Sequence, residues 1–237
     1  MLGHILISQK QQMLELLLKK SIMENIEGST QMNDWDFNLA KEIAKGIAST
    51  GIEGGYDTVV KSTAYSYPSI GLSCWEGDRA NNLLRMIPGG EEFVNRTYVN
   101  IQASDELPML RELLRSEAGQ KAQLELLSRD CLKYVEELKE VPTLDDTRCM
   151  IYCGMWCPTS TYVVKRFLQN RYMHVDLRSL LAVKNMFKNF YWIAADVGEM
   201  YRAGYANRAE NTYQYVAGID LTTPYGIPAY GDTPNGR

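Results

Sequence analysis

Apolar residues recur at helical spacing along most of this chain. Leu6, Met13, Leu14, Leu16, Leu17, Leu18, Ile22 and Ile26 stand among Gln, Lys and Glu, so residues 2–26 predict an amphipathic helix with a wide apolar face. A polar, turn-like stretch from Gly28 to Asn33 follows. Asn33 or Asp34 suits the cap of a second helix, which carries Ala40, Ile43, Ala44, Ile47 and Ala48 on one face and stops at Gly51. Arg79 to Ile87 predicts a short helix ended by Pro88-Gly89-Gly90. From Ser104 to Val141 a long helical pattern carries Leu110, Leu113, Leu114, Leu124, Leu127, Leu132 and Val135; Pro108 and Gly119 break it and Pro142 closes it. Asp145 opens another run over Arg148 to Tyr172, and Val175 to Val216 supplies one or two helices more. Only Ser69 to Trp75 reads as turn and strand. The chain is therefore expected to be mainly α (α+β), with one small β section and no βαβ alternation. Its predicted parts are an N-terminal helix and linker (1–32), one domain (33–218) and an extended tail (219–237). The stretch Gly218 to Arg237 holds three prolines and four glycines, and its Tyr225 and Tyr230 are candidate anchors.

Composition narrows the classes. Hydrophobic residues are 45% of 237, enough for a sizeable core. A net charge of −4 argues against a nucleic-acid binder with a broad basic face. No stretch approaches the roughly 18 apolar residues of a membrane span, and Met1 to Ile7 lacks the basic start of a secretory signal. Cys149, Cys153 and Cys157 recur at i, i+4 and i+8. They read either as a metal-binding face or as small apolar core residues. With only His4 and His174 as further soft ligands, the core reading is favoured, and neither a metal nor another cofactor is expected. An odd total of five cysteines suits a chain folded in a reducing cytoplasm.

The chemistry concentrates between Ala40 and Ala80. Glu53 lies just past the end of a packed helix, followed by Gly54 and Gly55, which allow close backbone approach. A carboxyl held among apolar neighbours has a raised pKa and stays protonated for use as an acid. Tyr56, Tyr65, Tyr67 and Trp75 cluster nearby and suit either stacking on sugar rings or core packing. Ser69 and Ser73 suit either hydrogen bonds to a sugar or closure of the turn.

Glu53-Gly54-Gly55-Tyr56-Asp57, then Ser69-Ile70-Gly71, Trp75, Gly77 and Arg79-Ala80, resemble a lysozyme-like family of phage and phage-derived bacterial proteins, with segments EGxYxSV, SIGxxQW and GxRA. The order is more distantly similar to lytic transglycosylases and chitosanases. The weaker likeness of Leu144 to Arg148 and of Arg202 to Arg208 extends it over roughly Asp34 to Val216. One position departs from the pattern: Cys74 stands where the family has Gln.

The resemblance implies a lysozyme-like fold and cleavage of a β-1,4 glycosidic bond in bacterial peptidoglycan, with Glu53 as general acid. Asp57, one of the nearest acids, reads either as an assisting catalytic carboxylate or as a residue that orients the loop backbone. It implies a sugar groove formed by Tyr56, Tyr67, Ser69, Gly71, Ser73, Trp75 and Arg79, to which Tyr205 is added from the C-terminal helices. A second carboxylate is scarce, because Lys61 to Tyr67 contains no acid. An inverting hydrolase wants its base about 6.5–9.5 Å from the acid and a retaining one a nucleophile at about 5 Å. A lytic transglycosylase works with one Glu, because the substrate's own hydroxyl attacks. A wall-degrading protein without a signal, made in a host cytoplasm, leaves by lysis, through a partner channel or inside a particle. The helix at 1–26 and the tail fit contacts with phage tail or virion proteins. The competing expectation is a non-catalytic virion structural or adaptor protein on a degenerate domain of this kind.

Overall fold

A computed structural model describes residues 34–51, 54–62, 66–171 and 174–221. The helix expected over 2–26, Asn33 as a cap, Glu53, Tyr65 and all but the first residues of the tail lie outside them. The described residues form nine α-helices and one two-stranded sheet, the mainly α arrangement with a small β section that the periodicity predicts.

Helix α1 (Asp34–Thr50) buries Leu39, Ala40, Ile43, Ala44 and Ile47 along one stripe. Complete burial of Leu39, Ile43 and Ile47 contributes about 1.5–3 kcal/mol apiece. A hairpin follows: β1 (Val59–Lys61) pairs antiparallel with β2 (Pro68–Ile70), Val59 opposite Ile70. The chain then turns back so that Ile70 and Trp75 exchange backbone bonds of 3.0 and 2.9 Å, and α2 (Gly77–Arg85) begins.

The long pattern after Ser104 resolves differently from expectation. Helix α3 (Tyr98–Ala103) precedes it, capped by the Thr97 hydroxyl, which accepts from the Asn100 N–H at 3.2 Å. Pro108 does not break a helix but sits in the first turn of α4 (Leu107–Arg115), where its missing N–H costs nothing. The break falls at Ser116 rather than at Gly119. The Ser116 hydroxyl accepts from the Gly119 N–H at 3.0 Å and caps α5 (Glu117–Leu138). Gly119 lies inside α5, where a Cβ would overlap the carbonyl oxygens of Leu113 and Leu114. The run over Arg148 to Tyr172 is likewise two helices, α6 (Thr147–Gly154) and α7 (Thr161–Arg171), parted at Pro158, which has no N–H to continue the first. Helices α8 (Leu180–Ala194) and α9 (Arg202–Ala217) complete the chain, with a short 3₁₀ turn (Glu199–Tyr201) between them.

Every residue of α6 is buried, and it packs against α1, α5, α8 and α9. Its cap is the Asp146 carboxylate, which accepts from the Cys149 N–H at 2.8 Å. Cys149, Cys153 and Cys157 are core residues, and burial pushes each thiol pKa up. No group of metal-ligating residues occurs among the described residues, and none of the described helices is long and apolar enough to cross a membrane.

Candidate functional site

The Tyr56 loop and the turn after β2 are held together from both sides. Gly54 lies close to the turn: a Cβ on it would stand 2.9 Å from the Gly71 carbonyl oxygen and 2.9 Å from the Thr58 hydroxyl. The Gly55 N–H donates to that hydroxyl at 2.8 Å, and the Gly71 N–H donates to the Thr58 carbonyl at 2.9 Å. Thr58 thus joins Gly55 to Gly71. Gly71 has a φ of 72°, which a side chain adopts only at a cost. Cys74, in the same turn, holds a φ of 44° without glycine's freedom.

The other side is supplied by α5. Gln123 is completely buried on its apolar stripe. Its Oε1 accepts from the Leu72 N–H at 3.0 Å, and its Nε2 donates to the carbonyls of Tyr56 and Leu114 at 3.1 and 2.8 Å. Seven residues on, and therefore on the same helix face, Asp130 accepts from the Trp75 indole N–H at 3.1 Å and from the Arg79 guanidinium. Burial raises the pKa of Asp130, against the pull of these two donors. The neighbouring Tyr134 hydroxyl is also pushed up by burial.

The residues assigned to sugar contact by resemblance distribute unevenly. Tyr67 and Ser73 are half-buried. Tyr56 packs partly against the core, and burial raises its phenol pKa. Trp75 and Ser69 are each 3% exposed; the Ser69 hydroxyl donates to the Glu76 carboxylate. Arg79 is half-exposed beside Asp130. Asp57 pairs with Arg115 from the end of α4, and this hydrogen bond lowers the Asp57 pKa below the usual carboxylate value. Arg111, one turn earlier on α4, donates to the Val59 carbonyl at 3.3 Å and holds β1 to the same helix.

Tyr205 belongs to a separate aromatic group. Its ring stacks on Trp156 with centroids 6.1 Å apart and lies 5.8 Å from Tyr191, within a cluster that includes Tyr152, Phe167 and Phe187. Arg208 lies over Trp156 in this cluster, its guanidinium 4.5 Å from the ring centroid.

Sequence reading missed Gln123, Asp130, Thr58 and Arg115. A signal for the first two is present: an amide and a carboxylate seven residues apart on the apolar stripe of one long helix. Such buried polar groups require partners from elsewhere in the fold. Thr58 is half-buried and Arg115 exposed, and neither carries a comparable mark in the sequence. Comparison with known proteins returns no match: no family model, no curated protein and no solved structure is detectably similar to the chain.

Proposed function

We propose that the chain cleaves the β-1,4-linked glycan strand of bacterial peptidoglycan, as a muramidase or lytic transglycosylase, with Glu53 as general acid. The observation that carries this reading is the meeting of the two motif segments. Gly54, the residue after Glu53, lies against the Gly71 carbonyl, and the Tyr56 loop and Leu72 share one buried carboxamide. Tyr56 and Gly71, both placed by resemblance in one sugar groove, thus lie on two backbone segments tied to each other, the first of which follows the acid in sequence.

The carboxylates described in this region are each engaged within the chain, which supports chemistry with a single acid. Asp57 accepts from Arg115, Glu76 from Ser69, and Asp130 from Trp75 and Arg79. In the proposed sequence the Glu53 carboxyl gives its proton to the leaving glycosidic oxygen as that bond to the anomeric carbon breaks. The resulting carboxylate then takes the proton of a substrate hydroxyl as that oxygen bonds to the same carbon, leaving an anhydro end. Asp57 in this reading braces the loop through Arg115. A role in a phage particle, at the tail and during wall penetration, belongs to the same proposal.

A second reading, a non-catalytic structural or adaptor protein of the particle, is favoured by one observation. Trp75 and Ser69 are buried and hydrogen-bonded within the chain rather than presented to a ligand. Digestion of purified peptidoglycan by wild type and Glu53→Gln, with products read by mass spectrometry, separates the two. Anhydro-muramic ends from wild type alone are the expected outcome, because loss of an essential acid costs about 10²–10⁴-fold. Reducing muramic ends point to hydrolysis, and no product from either protein on several walls points to the structural role. Absence of the protein from purified virions would remove the particle assignment.

A further inference from the structure

We infer that Gln123 is a positioning residue of this site, a role that rests on the glycan-cleaving reading: its carboxamide sets the spacing between the Tyr56 loop and the Leu72 turn. The geometry is specific to an amide. One oxygen accepts from Leu72, and one nitrogen donates to Tyr56 and to Leu114, so donor and acceptor are both used on backbone from three separate segments. Gly71 completes the fit, since a Cβ there would stand 2.5 Å from Oε1. The side chain is 0% exposed, so it acts on the two loops from inside the core and does not touch a substrate.

An apolar residue would serve the core of α5 at less desolvation cost, and a buried amide is tolerated only when its bonds are made. What the amide adds is a third point that fixes the register of the two loops, beyond the β1–β2 hairpin and the Gly71–Thr58 bond that already join them, and ties both to α5. Displacement of a substrate-positioning segment by about an ångström costs up to about 10²-fold in rate, so this register is the property a glycan-cleaving site would need.

The test uses the full chain with Gln123→Met and Gln123→Glu. Glycan release is followed against substrate concentration, and backbone amide exchange is followed at Leu72. For Gln123→Met the expected result is a kcat lower by roughly tenfold or more with KM within about twofold, together with faster exchange at Leu72. Gln123→Glu keeps the acceptor for Leu72 and loses both N–H donors. Its buried carboxyl regains a donor when protonated, so its activity relative to wild type is expected to climb as pH is lowered from about 8 to about 5. Activity is expressed per folded molecule at each pH, so that recovery of folding alone does not count as this rescue, and this second variant decides the matter if Gln123→Met does not fold. Wild-type kcat in Gln123→Met, with or without faster exchange, overturns the inference, as does a flat pH ratio for Gln123→Glu. A wild-type chain that releases no product overturns the glycan reading itself, a result distinct from an active wild type that Gln123→Met equals.

Discussion

Asp57 stands four positions after Glu53 in sequence, and its own surroundings give it the task of bracing a loop. The Asp57 carboxylate meets Arg115 with both side chains near half-exposed, 41% and 53%. Its lowered pKa means that the folded chain binds its proton more weakly than the unfolded one. The pair therefore contributes stability above the ordinary carboxyl pKa and loses it as pH falls through the depressed folded value. Exposure limits that contribution to less than about 1 kcal/mol. Asp57→Asn is accordingly expected to shift urea unfolding at neutral pH by less than about 1 kcal/mol, with the difference vanishing in acid. On the proposed glycan-cleaving reading, the variant's product release is expected to stay within about tenfold of wild type, and a loss of about 10²-fold or more in a folded variant would make Asp57 a catalytic group. Residues of this kind show how far sequence reaches. The motif order marks Glu53 to Arg79 as one region, but whether a carboxylate faces a substrate or a guanidinium depends on Arg115, 58 positions away.

At the scale of elements, hydrophobic periodicity locates α1, α2 and the later helical runs, because each must bury an apolar stripe. It misplaces their junctions, because those are decided by caps and close contacts that periodicity does not register. Pro108 reads as a break and is instead the start of α4; Gly119 reads as a break and is instead the contact point between α4 and α5. Gly119→Ala tests this assignment. Helix propensity alone would favour alanine by about 1 kcal/mol. The added methyl would meet two backbone carbonyls of α4, neither of which can rotate away. A net destabilisation of about 2–4 kcal/mol in denaturant unfolding is expected, with weakened protection of the Leu72 amide, since Leu114 is a partner of Gln123. A stabilised variant would show that the α4–α5 junction yields easily. The hairpin was legible as a turn and strand around Ser69 to Trp75, whereas its pairing with Val59–Lys61 was not, because three residues are too few to show an alternating pattern.

For the whole molecule, the decisive feature is a core centred on α6 and closed by α1, α5, α8 and α9. None of the five cysteines forms a disulfide; Cys131, Cys149, Cys153 and Cys157 are buried and Cys74 is half-buried. A thiol reagent under native conditions is expected to label Cys74 alone, with the other four reacting only as the chain unfolds. Early labelling of Cys153 or Cys157 would mean that the core opens locally. That core is also assembled from distant stretches of chain. Tyr152 donates to the Ala209 carbonyl at 3.1 Å, and the Tyr215 hydroxyl meets Glu42 at 2.7 Å across 173 positions. A growing polypeptide emerges at about 5–20 residues per second, so α1 waits roughly 10–30 s for its last partner. Until α9 clears the ribosome, α6 has an uncovered apolar side and the domain cannot close. Translation halted before Arg202 would release a fragment fit for chaperones and proteases, which makes the emergence of α9 the event that lets the fold close.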